Sequence, residues 1–185
     1  MRILFAGATG VLGRVTIPRL RVHEVVGLTR SSEKLALLRR LGAEALLCDV
    51  YDYEALLEVA KRFQPQTVVN FVTDLSSGPA AANTRVRREG GDNLRNAANA
   101  AGASRLVVES VAFTLDGPAA EAVEHLERST REFSGDALIL RFGRLWGPQT
   151  FYERPPSPPA VAIEKAGAQA ARLLAHAPPG TYVIA

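Results

Sequence analysis

Three glycines stand at positions 7, 10 and 13 within FAGATGVLGR, residues 5–14. A short apolar stretch precedes them and an apolar run with helical spacing follows. A tight turn that opens a helix aims backbone N–H groups outward, because the first amides of a helix have no partner inside it. In the spacing G-x-x-G-x-x-G, Gly7 gives a sharp exit from the strand. Gly10 lets the backbone approach a pyrophosphate, and Gly13 lets the helix pack closely on a sheet. The chemistry implied is dinucleotide binding; the alternative is a glycine-rich structural turn.

About twenty residues further on, a site for NAD usually carries an acid that accepts from the ribose 2′-OH. Here the segment is GLTRSSEK, residues 27–34, with no acid at the strand end. It offers Arg30 among Thr29, Ser31 and Ser32, with Lys34 a turn later. A planar guanidinium beside hydroxyls suits a 2′-phosphate, which favours NADP over NAD; the alternative is a solvated surface arginine. After the next strand comes CDV, residues 48–50. Asp49 there would accept from an adenine amino group with Val50 against the ring, or would cap the helix that starts near Asp52.

These residues need a scaffold that delivers them to one edge. Short β-branched runs are expected as strands over 2–5, 24–28, 45–48, 67–71, 105–109, 137–141 and 182–184. Helical periods fall at 11–20, 32–41, 53–63, 84–101, 119–133 and 163–175. Continuous apolar strands such as TVVNFV fit a sheet covered on both faces. Strand–helix alternation at this spacing predicts an α/β fold with a doubly wound parallel sheet, in one domain spanning residues 1–185. Pro18 should kink or shorten the first helix. Five prolines within residues 147–160 exclude helix and central strand there. That segment is expected as an extended connection, with a docking site for a proline-recognising domain as the alternative.

The formal net charge is +3, nearly all of it from arginine. Such a bias suits an anionic nucleotide and is too weak to indicate nucleic acid. A single cysteine, Cys48, excludes an intrachain disulfide and sits in an apolar run that reads as buried. No run approaches the ~18 apolar residues of a membrane helix, and the N-terminus lacks a signal-peptide pattern, so a cytoplasmic location is expected.

Taken together, these segments resemble the NAD-dependent epimerase/dehydratase family, the extended and atypical short-chain dehydrogenases/reductases. GATGVLG is similar to the family's nucleotide turn, and TVVNFV to its fourth strand. EGGDNLRNAANAAGASRLVVES is similar to its G-T-x-N-L-x-x-A-A-x-x-A-G helix and fifth strand. LRFGRLWGP resembles the sixth strand and the turn after it, and AIEKAGAQAARLLAHAPPGTYVI the closing helix and strand. The resemblance implies a Rossmann-type NAD(P)-binding fold with the cofactor over the sheet's carboxyl edge. Gly7, Thr9, Gly10, Val11, Leu12 and Gly13 would line the pyrophosphate. Arg30 would meet the adenosine end, with Asp49 and Val50 at the adenine. Phe71, Val72 and Thr73 would flank the nicotinamide ribose, with Asn93 supporting that loop. Ser110 would stand where the family often has a catalytic hydroxyl. The resemblance also implies a homodimer, through helices packed between neighbouring chains.

The chain departs from the family in two ways. Tyrosines stand at 51, 53, 152 and 182 and lysines at 34, 61 and 165, so no Tyr-x-x-x-Lys exists. That pair normally gives and takes the proton while hydride moves. Residues 147–160 also replace a full substrate lobe. An enzyme of this kind would exchange hydride with a small carbonyl or alcohol, with Ser110 or Thr73 polarising the oxygen. The rival reading is a non-catalytic NADP(H) sensor acting through a partner, and a scaffold with an unused site is a third. Asp74 is the carboxylate considered for proton work. Tyr152 is weighed as a substitute tyrosine. His23, His125 and His176 lack metal-ligand spacing and read as structural. RVRRE at 85–89 reads as exposed helix first, cofactor attraction second and nucleic acid third. Glu124, Glu127 and Glu132 with Arg128 and Arg131 read as a solvated helix face.

Overall fold

The β-branched runs are strands and the 3.6-residue periods are helices in the computed structural model, which describes residues 1–74 and 80–185. The chain order is β1 (Arg2–Ala6), α1 (Val11–Thr16), β2 (Glu24–Thr29), α2 (Leu35–Leu41), β3 (Glu44–Leu47), α3 (Tyr53–Phe63) and β4 (Thr67–Asn70). Then come α4 (Ala80–Arg85), α5 (Gly91–Ala100), β5 (Arg105–Val111), α6 (Gly117–Arg131) and β6 (Asp136–Phe142). The chain closes with β7 (Arg144–Trp146), β8 (Ala160–Ala162), α7 (Ile163–His176) and β9 (Gly180–Ile184).

Seven strands form one parallel sheet in the order β3-β2-β1-β4-β5-β6-β9. Alternation along each strand divides the core. Ile3 and Phe5 face one side with Leu12, Leu38, Ala166 and Ala170, whereas Leu4 and Ala6 face the other with Leu56, Leu94 and Ala98. Helices therefore cover both faces, which is why the strands read as unbroken apolar runs. On α7 the buried positions Ile163, Ala166, Gly167, Ala170, Ala171 and Leu174 form one stripe. The stripe is small because α7 lies close on α1: a Cβ on Gly167 would come within 2.5 Å of Val15 Cγ2.

As expected, Pro18 shortens α1, and a 3-10 turn over Ile17–Arg19 completes the run. Two features differ from the sequence expectation. The helix expected from 84 to 101 begins at Ala80 and widens into a π-helical turn over Val86–Gly90. Lastly, the connection after β6 holds a small second sheet. β7 pairs in parallel with β8, and Tyr152 bridges to Trp146. Strands of three residues, joined across a proline-rich stretch, leave no periodicity to read. Among the described residues no helix is long and apolar enough to cross a membrane.

Candidate functional site

Strand order reverses between β1 and β4, whose next neighbours are β2 and β5. At such a switch point the loops after adjacent strands diverge and leave a crevice at the carboxyl ends. A cleft of about 920 Å³ lies there, running from the glycine loop past the ends of β2 and β3 to the ends of β5 and β6.

The glycine loop is shaped by close approach. Gly7 has φ +82, and a Cβ on it would lie 2.1 Å from the Phe71 carbonyl oxygen, because the exit of β4 passes directly against the loop. Gly13 is equally constrained, with its Cβ position 2.5 Å from the carbonyl oxygens of Gly7 and Ala8. Gly10 caps α1 without a side chain, in an extended conformation (φ −72, ψ 172), and its N–H closes the turn on the Gly7 carbonyl at 3.0 Å. A Cβ there would lie 3.2 Å from the Gly7 carbonyl oxygen, and no side chain caps the first-turn amides. Arg14 braces the loop, donating from Nε to the Thr9 carbonyl at 2.8 Å and from Nη1 to Gln149 at 2.6 Å. The floor is a line of edge-to-face rings, Phe5 to Phe71 at 5.2 Å and Phe71 to Phe142 at 6.0 Å.

Thr29, Arg30, Ser31 and Lys34 line the cleft beyond β2, and Cys48, Asp49, Val50 and Tyr51 beyond β3. The Arg30 side chain is 60% exposed and touches Asp74 only at 3.4 Å. Thr29 Oγ1 accepts from the Ser31 amide. Asp49 accepts from the Tyr51 amide at 3.0 Å, while Asp52 is the residue that caps α3, accepting from the Ala55 amide at 3.0 Å. The cap therefore belongs to Asp52, and Asp49 faces the cleft. Cys48 is buried, and that burial, together with Asp52 and Asp49, pushes its thiol up to about 11. Asn93 donates to the Val50 carbonyl at 2.9 Å, so it supports the loop after β3 rather than residues 71–73. That loop is held by Asn70, which accepts from the Val72 amide, and by Asn83, which accepts from the Asp74 amide.

The far end of the cleft has a polar floor. Ser110, on β5, is fully buried and donates to Glu127 at 2.6 Å. Glu127 also accepts from Arg141 Nε at 2.8 Å, from Arg141 Nη2 at 2.6 Å and from Arg131 at 2.9 Å. Burial pushes the Glu127 carboxyl up, but the hydrogen bonds from Arg141, Ser110 and Arg131 outweigh it and hold it down at about 2. The Ser110 proton is thus committed to a carboxylate, while Thr73 lines the open wall. Beside Ser110, Glu109 also lines the cleft. Burial pushes its carboxyl up to about 7, against the attraction of Arg87.

Arg87 is the residue that sequence reasoning misplaces. In RVRRE, Arg85 is exposed and Arg88 partly so, but Arg87 is only 5% exposed. The π turn over Val86–Gly90 buries two successive side chains, Val86 and Arg87, which an α-helical period does not anticipate. Glu127, expected on a solvated face, is likewise buried, because the α6 face that carries it packs on β5 and β6; Glu124, Arg128, Arg131 and Glu132 are exposed as expected. Tyr152 reaches the cleft mouth beside Phe151, at 4.9 Å between ring centroids. His125 Nε2 lies 2.8 Å from Asp92 Oδ2, tying α6 to α5.

Glu109 gives a measurable signature. Its folded value lies above the ordinary 4.5, so between pH 4.5 and 7 the folded state holds a proton that the unfolded chain has lost. Stability therefore falls as pH rises through that window. Glu109→Gln is expected to be more stable than the parent at pH 8, by on the order of 1–3 kcal/mol, with the difference gone by about pH 4. Denaturant unfolding at both pH values checks it.

A family profile described as NAD(P)H-binding matches residues 7–139. A protein of Streptomyces sp. named 3-diazoavenalumate denitrifying reductase is 35% identical over 184 residues, covering 83% of this chain; the chain spans 59% of that relative's length. The Bordetella bronchiseptica enzyme WbmG, solved with NAD, superposes with a TM-score of 0.80 at 20% identity, covering 100% of this chain and 72% of its own. The UDP-glucose 4-epimerase of Thermus thermophilus, also solved with NAD, gives 0.80 at 18% identity, covering 100% and 77%. At those identities the two structures share the fold.

Proposed function

This chain belongs to the NAD(P)H-binding family, and from that premise we propose that it is an epimerase/dehydratase-like short-chain reductase that reduces a small acceptor with a nicotinamide dinucleotide. The supporting observation is the continuous cleft from an uncapped glycine loop to the polar ends of β5 and β6. Amides at the start of α1 take the diphosphate, helped by Arg14. Arg30 and Lys34 take a 2′-phosphate, and the light tether of Arg30 to Asp74 leaves its guanidinium free to turn. Val50, held by Asn93, packs on the adenine, and Thr73 flanks the second ribose. The cofactor supplies hydride when bound. The named relative is a reductase, which favours catalysis over sensing. A cytoplasmic setting fits a chain whose single cysteine has no bridge partner.

A second reading narrows the acceptor. The Streptomyces relative's name describes reduction of a diazo compound. Hydride delivered to an aryl diazonium forms a C–H bond, breaks the C–N bond and releases dinitrogen, so electrons balance without an acid protonating an oxygen. A sequence with no Tyr-x-x-x-Lys pair suits that chemistry better than carbonyl reduction.

Thermal shift tests the cofactor reading. At 100 times its Kd, NADPH should stabilise the fold by about 2.7 kcal/mol, or roughly 5–10 °C for a chain of this size. Arg30→Ala should weaken NADPH at least tenfold while changing NADH less than twofold. Equal losses would refute the 2′-phosphate assignment, and no shift with either cofactor at millimolar levels would end the dinucleotide reading.

A further inference from the structure

We propose that Arg87 anchors the carboxylate of a small aromatic acid, and that such an acid is the hydride acceptor of this cleft. The inference rests on the cofactor reading above and adds the substrate class.

Arg87 is 5% exposed, yet its Nε and Nη1 atoms are enclosed with no hydrogen-bond acceptor. Buried donors without a partner are rare, and a buried guanidinium stays charged, so two of its donors stand unsatisfied in the free state. Glu109 and Glu127 act on Arg87 from a distance, but Glu127 is already filled by Ser110, Arg141 and Arg131. Glu109 lines the same cleft and forms no hydrogen bond with Arg87 Nε or Nη1. A buried guanidinium with unsatisfied donors and a partly buried carboxyl thus line one cavity without pairing at those donors.

Position separates this arginine from the cofactor phosphates. Arg87 lies by the β5 end, and β5 is two strands from β1 in the sheet, about 10 Å across at the usual spacing. The phosphate end already has Arg14, Arg30 and Lys34. A carboxylate is the matching anion at the far end because its oxygens accept from a guanidinium in plane. The rest of the acceptor follows from the walls. Phe113 and Phe142, at the ends of β5 and β6, line this end of the cleft, Phe151 and Tyr152 stand at its mouth, and Arg144 stacks over Phe113 at 4.7 Å. Flat apolar walls around one buried cation select a ring that carries an acid. Glu109 accommodates the anion below about pH 7, where its burial favours the protonated carboxyl.

Calorimetry on the NADP⁺-saturated protein tests this with cinnamate and its neutral counterpart cinnamamide. Cinnamate should bind at least tenfold more tightly than the amide. Arg87→Met should remove that preference, Arg87→Lys should retain part of it, and both should bind NADP⁺ within twofold of the parent. Because Arg87→Met deletes buried donors that stand unsatisfied, its Tm should not fall, which separates lost recognition from lost folding. Equal binding of acid and amide, binding of neither, or a preference that survives Arg87→Met would overturn the proposal. Weakened NADP⁺ binding in Arg87→Met would assign the guanidinium to a cofactor phosphate and overturn it as well. Failure of NADP⁺ to bind the parent protein would instead strike the cofactor reading.

Discussion

Gly7→Ala is expected to abolish dinucleotide binding and to lower Tm by about 10 °C or more, the equivalent of roughly 4 kcal/mol in a chain of this length. Two costs combine. A left-handed backbone conformation costs an alanine about 1–2 kcal/mol. The larger cost is steric: the new methyl would lie 2.1 Å from the Phe71 carbonyl oxygen, which is backbone and cannot rotate away. The loop and the end of β4 would have to part, and Phe71 lines the cleft between them. Gly42→Ala is the control. Gly42 has φ +96 with nothing within 4 Å of its Cβ position, so it bears the conformational cost alone. That variant should lose about 1–2 kcal/mol and bind NADPH normally. Wild-type NADPH affinity in Gly7→Ala, measured by titration, would remove the glycine loop from the cofactor site.

Glu127→Ala should destabilise the protein by about 2–4 kcal/mol at neutral pH, because it strips the acceptor from a buried hydroxyl and from two arginines at once. The figure sits below that for a fully enclosed pair, since the Arg141 and Arg131 side chains are 40% and 53% exposed and can turn to water. The pH dependence identifies the cause. Glu127 is held near 2 in the folded state against 4.5 ordinarily, so its contribution is complete above pH 4.5 and is lost as pH falls toward 2. Urea titrations should show a steep acid limb in the parent and a flattened one in both Glu127→Ala and Glu127→Gln. An unchanged acid limb would mean that the ion-pair network does not carry the stability assigned to it. Glu109 acts with the opposite sign above pH 4.5, so these two carboxyls together place their stability optimum near that pH.

The pattern of the sequence carried the fold. Alternating apolar runs and helical periods placed all seven strands of the sheet within one or two residues, because strands covered on both faces must be apolar throughout and the helices over them must be striped. The glycine loop was equally legible, since Gly7 and Gly13 satisfy contacts that only a residue without Cβ can make. Arg30, Asp49 and Val50 follow strand ends, and strand ends set the edge they reach.

The far end of the cleft was not legible in that way. Ser110 could be located from the end of β5, but its bond to Glu127 joins two elements whose facing registers no local pattern records. Arg87 sits one residue from Arg88 in a basic run that reads as surface, and only the π turn over Val86–Gly90 draws it inward. Periodicity is a property of neighbours along the chain, so by itself the sequence determined the sheet, the helices and the glycine loop. Which charges are buried, paired or left facing the cleft depends on how separate elements pack, and only the tertiary structure decided that.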